Sequence, residues 1–177
     1  MYHVKNDKRC IRSAGSITKA LEQLLAKKAF LDITVTDIQK TAGIGRSTFY
    51  RLFDTIDDVV TYMVDKEFEE IVRGYSTMSI RDFTINCLSG VIDREDTLMG
   101  ILASGRSELV TGSLRENLHR SAEAAGEADE ACLQYRFAVF ASACISVIRV
   151  WDENGRKESI EELADYMQKF LDFSNLA

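Results

Sequence analysis

Residues 33–53, ITVTDIQKTAGIGRSTFYRLF, carry the strongest structural signal in this chain. The spacing of their apolar side chains predicts two short helices joined by a glycine-containing turn at residues 42–45. Guanidinium, hydroxyl and phenol groups on one face of a short helix form a surface that fits a DNA major groove. The stretch therefore predicts a helix-turn-helix that binds DNA. The polar side chains expected on its second helix are Arg46, Ser47, Thr48, Tyr50 and Arg51.

The remainder of the chain predicts helices and no convincing strand. None of the 177 residues is proline, which long helices tolerate better than a turn-rich β-fold does. A mobile basic arm is expected at residues 1–12, followed by a helix from Ser13 or Ser16 to Ala29. The later helices are expected at about residues 46–53, 56–75, 97–103, 107–125 (with a break at Gly112), 127–152 and 159–173, with another that begins at Ser79.

The second helix has a start and a stop signal. Thr36 followed by Gln39 is a capping-box pattern and predicts the start. Gly43 predicts the end, because glycine adopts the left-handed conformation that closes many helices.

Charge is distributed unevenly along the chain. Residues 1–52 carry ten Lys/Arg and four Asp/Glu, whereas residues 53–177 carry twelve Lys/Arg and twenty-four Asp/Glu. A basic N-terminal segment on an acidic remainder indicates that only the former faces a polyanion. A chance imbalance is the alternative explanation.

The four cysteines and two histidines indicate no metal site and no catalytic site. Cys10, Cys87, Cys132 and Cys144 lack metal-ligand spacing, and the apolar neighbours of the last two predict buried thiols in a reducing compartment. His119 is expected to be exposed on a polar helix. No nucleophile–His–acid set or phosphate-binding glycine loop accompanies it, so we expect no enzyme and no cofactor.

The N-terminus has no signal-peptide pattern, and no apolar run approaches the length of a membrane span. We therefore expect a cytoplasmic protein without membrane contact.

Several short motifs recur here with the spacing of one known family. They are Ile17-Thr18-Lys19-Ala20-Leu21, Leu24-Leu25, Phe30, Thr34-Val35-Thr36-Asp37-Ile38, the run from Ala42 to Tyr50, and Phe53. Together they resemble the DNA-binding segment of the TetR/AcrR family of bacterial transcriptional regulators. The resemblance implies a three-helix DNA-binding domain at residues 1–54 and a helical effector-binding and dimerisation domain at residues 55–177.

The chemistry of the predicted contacts follows from the side chains. Arg46 suits bidentate pairing with guanine, whereas Tyr50 and Arg51 suit a phosphate or a base. Thr36, near a helix N-terminus, can offer its hydroxyl and backbone N–H to a phosphate. Gly45 allows close approach to the groove wall.

Two positions depart from the family pattern. Ile56 stands where the family usually has a lysine that contacts a phosphate, and acidic residues surround it at 54, 57 and 58. Ala29 stands where glycine commonly follows the first helix.

The resemblance also implies a two-fold dimer through the last two helices, a palindromic operator and a small-molecule effector whose identity we do not predict. An effector pocket would lie between the fourth helix and the C-terminal helices. Its candidate lining residues are Met63, Phe68, Phe83, Cys87, Met99, Tyr135 and Phe137. Core packing explains the same residues, so both interpretations stand.

The sequence is compatible with two functions. The first is a ligand-responsive repressor that binds DNA as a dimer, with activation in place of repression still open. The second is a helical protein-interaction module, or a co-activator that does not itself bind DNA strongly. Ile56 and the acidic C-terminal residues favour the second.

Overall fold

A computed structural model of the chain describes residues 2–93, 95–127 and 130–171. These residues form nine α-helices and no strand, which confirms the expected all-α fold. Short 3₁₀ turns lie at Phe30–Asp32 and Val72–Gly74. The helices are α1 (Lys8–Leu25), α2 (Val35–Ala42), α3 (Arg46–Leu52), α4 (Ile56–Ile71), α5 (Ile80–Ile92), α6 (Glu95–Ala103), α7 (Ser107–Ala124), α8 (Glu130–Glu153) and α9 (Ile160–Leu171).

The chain divides into two compact units. The N-terminal unit contains the described residues of Met1–Lys66 and Glu95–Leu109, and the C-terminal unit contains those of Glu67–Arg94 and Val110–Ala177. This division by packing falls inside α4 and inside α7. The functional boundary expected between residues 54 and 55 stays a prediction.

Helix α1 begins earlier than the sequence predicted. The Asp7 carboxylate accepts hydrogen bonds from the backbone N–H groups of Arg9 at 3.0 Å and Cys10 at 2.9 Å, as an N-cap does. The helix therefore starts at Lys8 rather than at Ser13 or Ser16, and it ends at Leu25 rather than Ala29. The hydrogen bond from the Cys10 backbone is the main reason that the pKa of Asp7 lies below its ordinary value.

The expected cap of α2 at Thr36 is wrong by two residues. The Asp37 N–H donates to Thr34 Oγ1 at 3.2 Å, and the Thr34 N–H donates to Asp37 Oδ2 at 2.9 Å. This reciprocal pair is a capping box, so α2 begins at Val35. Gly43 ends the helix as predicted, with φ at 65° in the left-handed region that glycine adopts at least cost.

The core of the N-terminal unit lies where α1 packs against α2 and α3. Each large apolar side chain buried there contributes roughly 1.5–3 kcal/mol, which is enough to fix the orientation of α3. The fully buried side chains are those of Ile17, Leu21, Ile38, Phe49, Leu52 and Phe53.

Helix α6 also belongs to the N-terminal unit and packs on α1, which the sequence did not predict. In the loop after it, Arg106 Nε donates a hydrogen bond to Asp57 Oδ1 at 2.6 Å. The Arg106 guanidinium also lies 4.4 Å from the centroid of the Phe30 ring.

In the C-terminal unit, α5 packs against α8 and α9. Ser79 caps α5 as predicted, since its Oγ accepts a hydrogen bond from the Asp82 N–H at 3.1 Å. Arg81 Nε donates to Asp165 Oδ1 at 2.7 Å, which joins α5 to α9 and lowers the pKa of Asp165.

Three smaller expectations for this unit are wrong. Helix α7 continues through Gly112 without a break. Cys132 is exposed, although Cys144 is buried as expected and burial raises the pKa of its thiol. His119 is half-buried rather than exposed, because its ring lies edge-on to Phe137 with centroids 4.9 Å apart.

Helix α8 is long and apolar enough, from Ala131 to Glu153, to pass a length-and-composition test for a membrane span. This helix qualifies the expectation from the sequence that no apolar run approaches the length of a membrane span. A helix that packs into a protein core passes the same test, and α8 buries Phe137, Cys144 and Ile148. Composition alone is therefore weak evidence for a membrane span here.

Candidate nucleic-acid interface

Helix α3 is held from one side only. Its N-cap is Gly45 in an extended conformation, and no side chain caps the helix start. The Gly45 carbonyl accepts hydrogen bonds from the N–H groups of Thr48 and Phe49 at 3.0 and 3.2 Å. Phe49 and Leu52 are fully buried beneath the helix. Most residues of the opposite face are exposed.

The predicted DNA-contacting residues lie on that opposite face. Arg46, Ser47, Tyr50 and Arg51 are exposed, whereas Thr48 is half-buried. A Cβ added at Gly45 would meet no atom within 4 Å, so the protein itself does not require glycine there. Thr36 is exposed in the first turn of α2. The structure thus brings the predicted set to the surface, and their contacts with DNA stay predictions.

Arg46 and Tyr50 form a defined pair on α3. The Arg46 guanidinium lies 5.5 Å from the centroid of the Tyr50 ring, at the i, i+4 spacing of helix neighbours. The Tyr50 ring in turn lies edge-on to Phe49, with centroids 5.4 Å apart. Buried Phe49 therefore limits the orientations of the phenol, and the phenol limits those of the guanidinium.

The electrostatic surroundings of α3 favour an anion. Within the described residues, neither Arg46 nor Arg51 has a carboxylate at ion-pair distance, and the first turn of α3 contains no acid. The acid of the neighbouring helix is already paired, because Lys28 Nζ donates to Asp37 Oδ2 at 2.7 Å. That hydrogen bond, with a second from the Thr34 hydroxyl, holds the pKa of Asp37 well below its ordinary value.

The acids around Ile56 also have partners. Asp57 accepts from Arg106, and Asp54 Oδ2 lies 3.0 Å from His3 Nε2. Asp58 Oδ2 accepts hydrogen bonds from the backbone N–H groups of Asp54 and Thr55, both at 3.0 Å. Their negative charge is partly compensated inside the protein, which weakens the objection to DNA binding that the sequence raised at this helix start.

The expected mobile arm is wrong for the residues that the structure describes. The Tyr2 hydroxyl donates to Asp65 Oδ2 at 2.8 Å, and its ring lies edge-on to Tyr62 at 5.1 Å. The His3 N–H donates to the Leu52 carbonyl at 2.8 Å, at the end of α3. Residues 8–12 are helical, so the N-terminal segment supports α3 and α4.

A separate cavity of about 290 Å³, partly open to solvent, is lined by residues of the C-terminal unit. Arg136 Nη2 donates to Glu127 Oε2 at 2.7 Å and also to the Tyr75 hydroxyl. Burial is the largest influence on Tyr75 and raises its pKa. The lining residues are Tyr75, Ser76, Met78, Ile80, Phe83, Leu118, Glu127, Arg136, Phe137 and Phe140.

The predicted pocket residues meet this cavity only in part. Phe83 and Phe137 line it, whereas Phe68 and Cys87 are buried elsewhere in the same unit. Tyr135 was wrongly assigned, because its side chain is 77% exposed. The two methionines of the set, at positions 63 and 99, belong to the N-terminal unit.

Sequence reasoning missed the polar side of the cavity. Tyr75, Glu127 and Arg136 come from three separate segments, and each has the sequence context of a surface residue. No spacing rule joins them, because the 3₁₀ turn after α4 and the end of α7 are brought together only by the fold.

Two protein-family models match this chain. Residues 17–63 match "Bacterial regulatory proteins, tetR family", and residues 105–173 match "Transcriptional regulator C-terminal region" of the TetR type. The chain belongs to the TetR family, whose members are DNA-binding transcriptional regulators. Regulators of this family are non-enzymatic transcription factors, which is consistent with the expectation that the chain is not an enzyme. Regulators of this family bind DNA operators, act as dimers and are soluble cytoplasmic proteins.

One curated relative is the HTH-type dhaKLM operon transcriptional activator DhaS of Lactococcus lactis, which is 32% identical over 71 residues. The match spans 40% of this chain and 38% of that protein.

Three solved structures share the fold at low sequence identity. Lin0861 from Listeria innocua aligns with a TM-score of 0.81 and 15% identity over 98% of this chain and 96% of that one. A TetR transcriptional regulator from Streptococcus agalactiae aligns with a TM-score of 0.64 and 18% identity, over 90% of this chain and 93% of that one. The dihydroxyacetone kinase operon activator DhaS aligns with a TM-score of 0.58 and 19% identity, over 91% of this chain and 94% of that one.

Proposed function

We propose that this cytoplasmic regulator represses transcription by binding a palindromic operator as a homodimer, and that a small molecule releases it. Helix α3 lies in the major groove of each half-site, with Arg46 on base edges. Ser47, Thr48, Tyr50 and Arg51 supply further base and phosphate contacts. Thr36 of α2 donates to a phosphate, and Gly45 permits close approach of the helix start.

The one-sided anchoring of α3 is the observation that carries this proposal. Phe49 and Leu52 fix the helix from below, so the guanidinium of Arg46 and the phenol of Tyr50 are displayed on a rigid element. A major-groove contact needs this rigidity, because bidentate pairing with guanine tolerates little displacement.

Dimerisation through α8 and α9 is supported by apolar side chains left exposed on these helices. Tyr135 and Val139 on α8 are 77% and 50% exposed, and Val150 is 54% exposed. Tyr166 and Phe170 on α9 are 41% and 72% exposed. Exposed apolar side chains grouped on neighbouring helices commonly mark an interface. A dimer would also place two copies of α3 at successive major grooves on one DNA face.

Residues of the C-terminal unit line two described cavities, and the one that contains Arg136 and Glu127 is the proposed effector site. A ligand that binds one conformation of the regulator better than the other shifts its affinity for DNA. Of the effector residues predicted from sequence, Phe83 and Phe137 keep that role.

Selection from random duplexes, followed by gel shift on the selected sequence at rising salt, tests this function. We expect a two-fold symmetric site and an affinity that falls steeply with salt, because Lys and Arg displace counterions from phosphates. Failure to select any sequence, or binding that salt does not weaken, would favour a protein-interaction module.

Activation is the second candidate, and the name of the Lactococcus lactis relative favours it. A reporter placed behind the selected operator separates the two. Lower expression in the presence of the protein supports repression, whereas higher expression supports activation.

A further inference from the structure

We propose that the cavity of the C-terminal unit binds a small single-ring aromatic carboxylate, and that the Glu127 carboxylate occupies the ligand's anionic subsite when the cavity is empty. This inference rests on the proposed function only in taking the cavity as the effector site. It assigns the chemical class of the effector and the residues that select it.

The volume of the cavity is sufficient for a single-ring ligand. An engineered apolar cavity of about 150 Å³ holds one benzene molecule, and this cavity measures about 290 Å³. It therefore accommodates one aromatic ring with a short polar substituent. This volume lies just below the range of about 300–1,000 Å³ that is typical of small-molecule sites.

The walls are suited to a flat apolar group. The rings of Phe83 and Phe140 lie 5.6 Å apart at their centroids, and Tyr75 lies edge-on to both Phe83 and Phe137 at 5.3 and 5.5 Å. Aromatic rings favour these edge-on and offset arrangements, which a ligand ring can extend.

The polar end selects an anion. Among the described residues that line the cavity, Arg136 and Glu127 are the charged ones. The Arg136 guanidinium carbon lies 5.2 Å from the Phe137 centroid and 5.9 Å from the Tyr75 centroid. The aromatic rings nearest the polar end thus already have a cation beside them, which disfavours a cationic ligand.

When the cavity is empty, the Glu127 carboxylate occupies the position beside Arg136 that the ligand's carboxylate would take. Its Oε2 lies 2.7 Å from Arg136 Nη2, and the Arg136 nitrogen also donates to the Tyr75 hydroxyl. A ligand carboxylate can replace Glu127 at the guanidinium, since Arg binds carboxylates in a fixed planar geometry. The Glu127 side chain is 34% exposed and can be solvated by water once displaced.

Titration calorimetry with phenylacetate as the probe tests this assignment, with phenethylamine and phenethyl alcohol as matched compounds. We expect saturable binding of phenylacetate and weaker or no binding of the other two. Arg136→Gln should weaken phenylacetate binding by about tenfold or more, because a charge-assisted hydrogen bond is lost. Glu127→Gln should tighten it, because the internal competitor loses its charge.

The tighter phenylacetate binding expected for Glu127→Gln cannot result from a loss of folding, because an unfolded variant would bind more weakly. Arg73→Gln is the matched control, because Arg73 has its own carboxylate partner, Glu70, at 2.6 Å and does not line the cavity. It should bind phenylacetate as the unmodified protein does. Preference for phenethylamine, unchanged binding by Arg136→Gln, or no saturable binding of phenylacetate would each overturn the assignment. If gel shift on the selected operator is intact in that case, the DNA-binding function stands without this ligand class.

Discussion

Arg106 Nε and Asp57 Oδ1 lie 2.6 Å apart and join the loop after α6 to the first turn of α4. The same guanidinium lies 4.4 Å from the ring centroid of Phe30, which follows α1. This one side chain, 28% exposed, therefore joins its own loop to two other segments of the N-terminal unit. The ion pair also compensates one of the acids beside Ile56.

Arg106→Met should destabilise the N-terminal unit. It keeps an apolar stem but removes the ion pair and the cation–π contact, so we expect a loss of roughly 1–2 kcal/mol in the free energy of unfolding. Urea denaturation measures this. Arg73→Met removes an exposed ion pair with Glu70 and should cost less than about 0.5 kcal/mol. Equal losses in the two variants would show that Arg106 has no special structural role.

Ile56→Lys should strengthen operator binding. Ile56 is half-buried at the start of α4, where a lysine stem can reach outward to a phosphate. One added phosphate contact should steepen the dependence of log K on log salt by about one unit. Gel shift over a salt series measures this, with Ile56→Gln as the uncharged control. No gain, or weaker binding, would show that this end of α4 stands away from the DNA backbone.

Phe170→Glu should dissociate the proposed dimer. Phe170 is 72% exposed in α9, so the variant can fold, but a carboxylate in an apolar interface is costly. Sedimentation velocity should show a shift from dimer to monomer. Leu31→Glu is the control, because Leu31 is 73% exposed in the N-terminal unit and lies outside α8 and α9. An unmodified protein that is monomeric, or a variant that stays dimeric, would contradict the proposed interface.

Acid should weaken the N-terminal unit partly through Asp37. Its pKa is depressed below the ordinary 3.8 in the folded chain, first by Lys28 and then by Thr34. The unfolded chain therefore binds the proton more tightly, and the stabilisation is complete above the unfolded pKa and lost as the pH falls toward the folded one. Asp37→Asn should flatten the decline of melting temperature between roughly pH 5 and pH 2. Lys28→Met should flatten it too, and a decline as steep as in the unmodified protein would contradict this origin.

Much of the N-terminal unit could be predicted because its signals are local. Gly43 ends α2 through its own backbone conformation, and the buried Phe49 and Leu52 alternate with exposed Arg46 and Tyr50 within one helix. The errors at Ser13 and Thr36 have a local cause as well. Several Ser, Thr and Asp residues compete as caps near each helix start, and the hydrogen bonds that form decide between them.

The cavity could not be predicted for a different reason. Tyr75 and Arg136 are 61 residues apart in sequence, and neither is apolar enough to suggest a pocket wall. Tyr135, a candidate lining residue from the sequence, is instead 77% exposed. One helix position separates it from Arg136, and that rotation of about 100° decides which side chain reaches the cavity.

Gel shift of Arg46→Ala and Tyr50→Ala on the selected operator tests the role of α3. We predict at least about a tenfold loss of affinity for Arg46→Ala, since a bidentate contact with guanine contributes about 1–3 kcal/mol. Tyr50→Ala should weaken binding as well, while helix content and oligomeric state stay unchanged in both variants. Lys157→Ala, an exposed cation in the C-terminal unit, should bind as the unmodified protein does. Unchanged affinity in both α3 variants would contradict the assignment of α3 as the DNA-contacting helix.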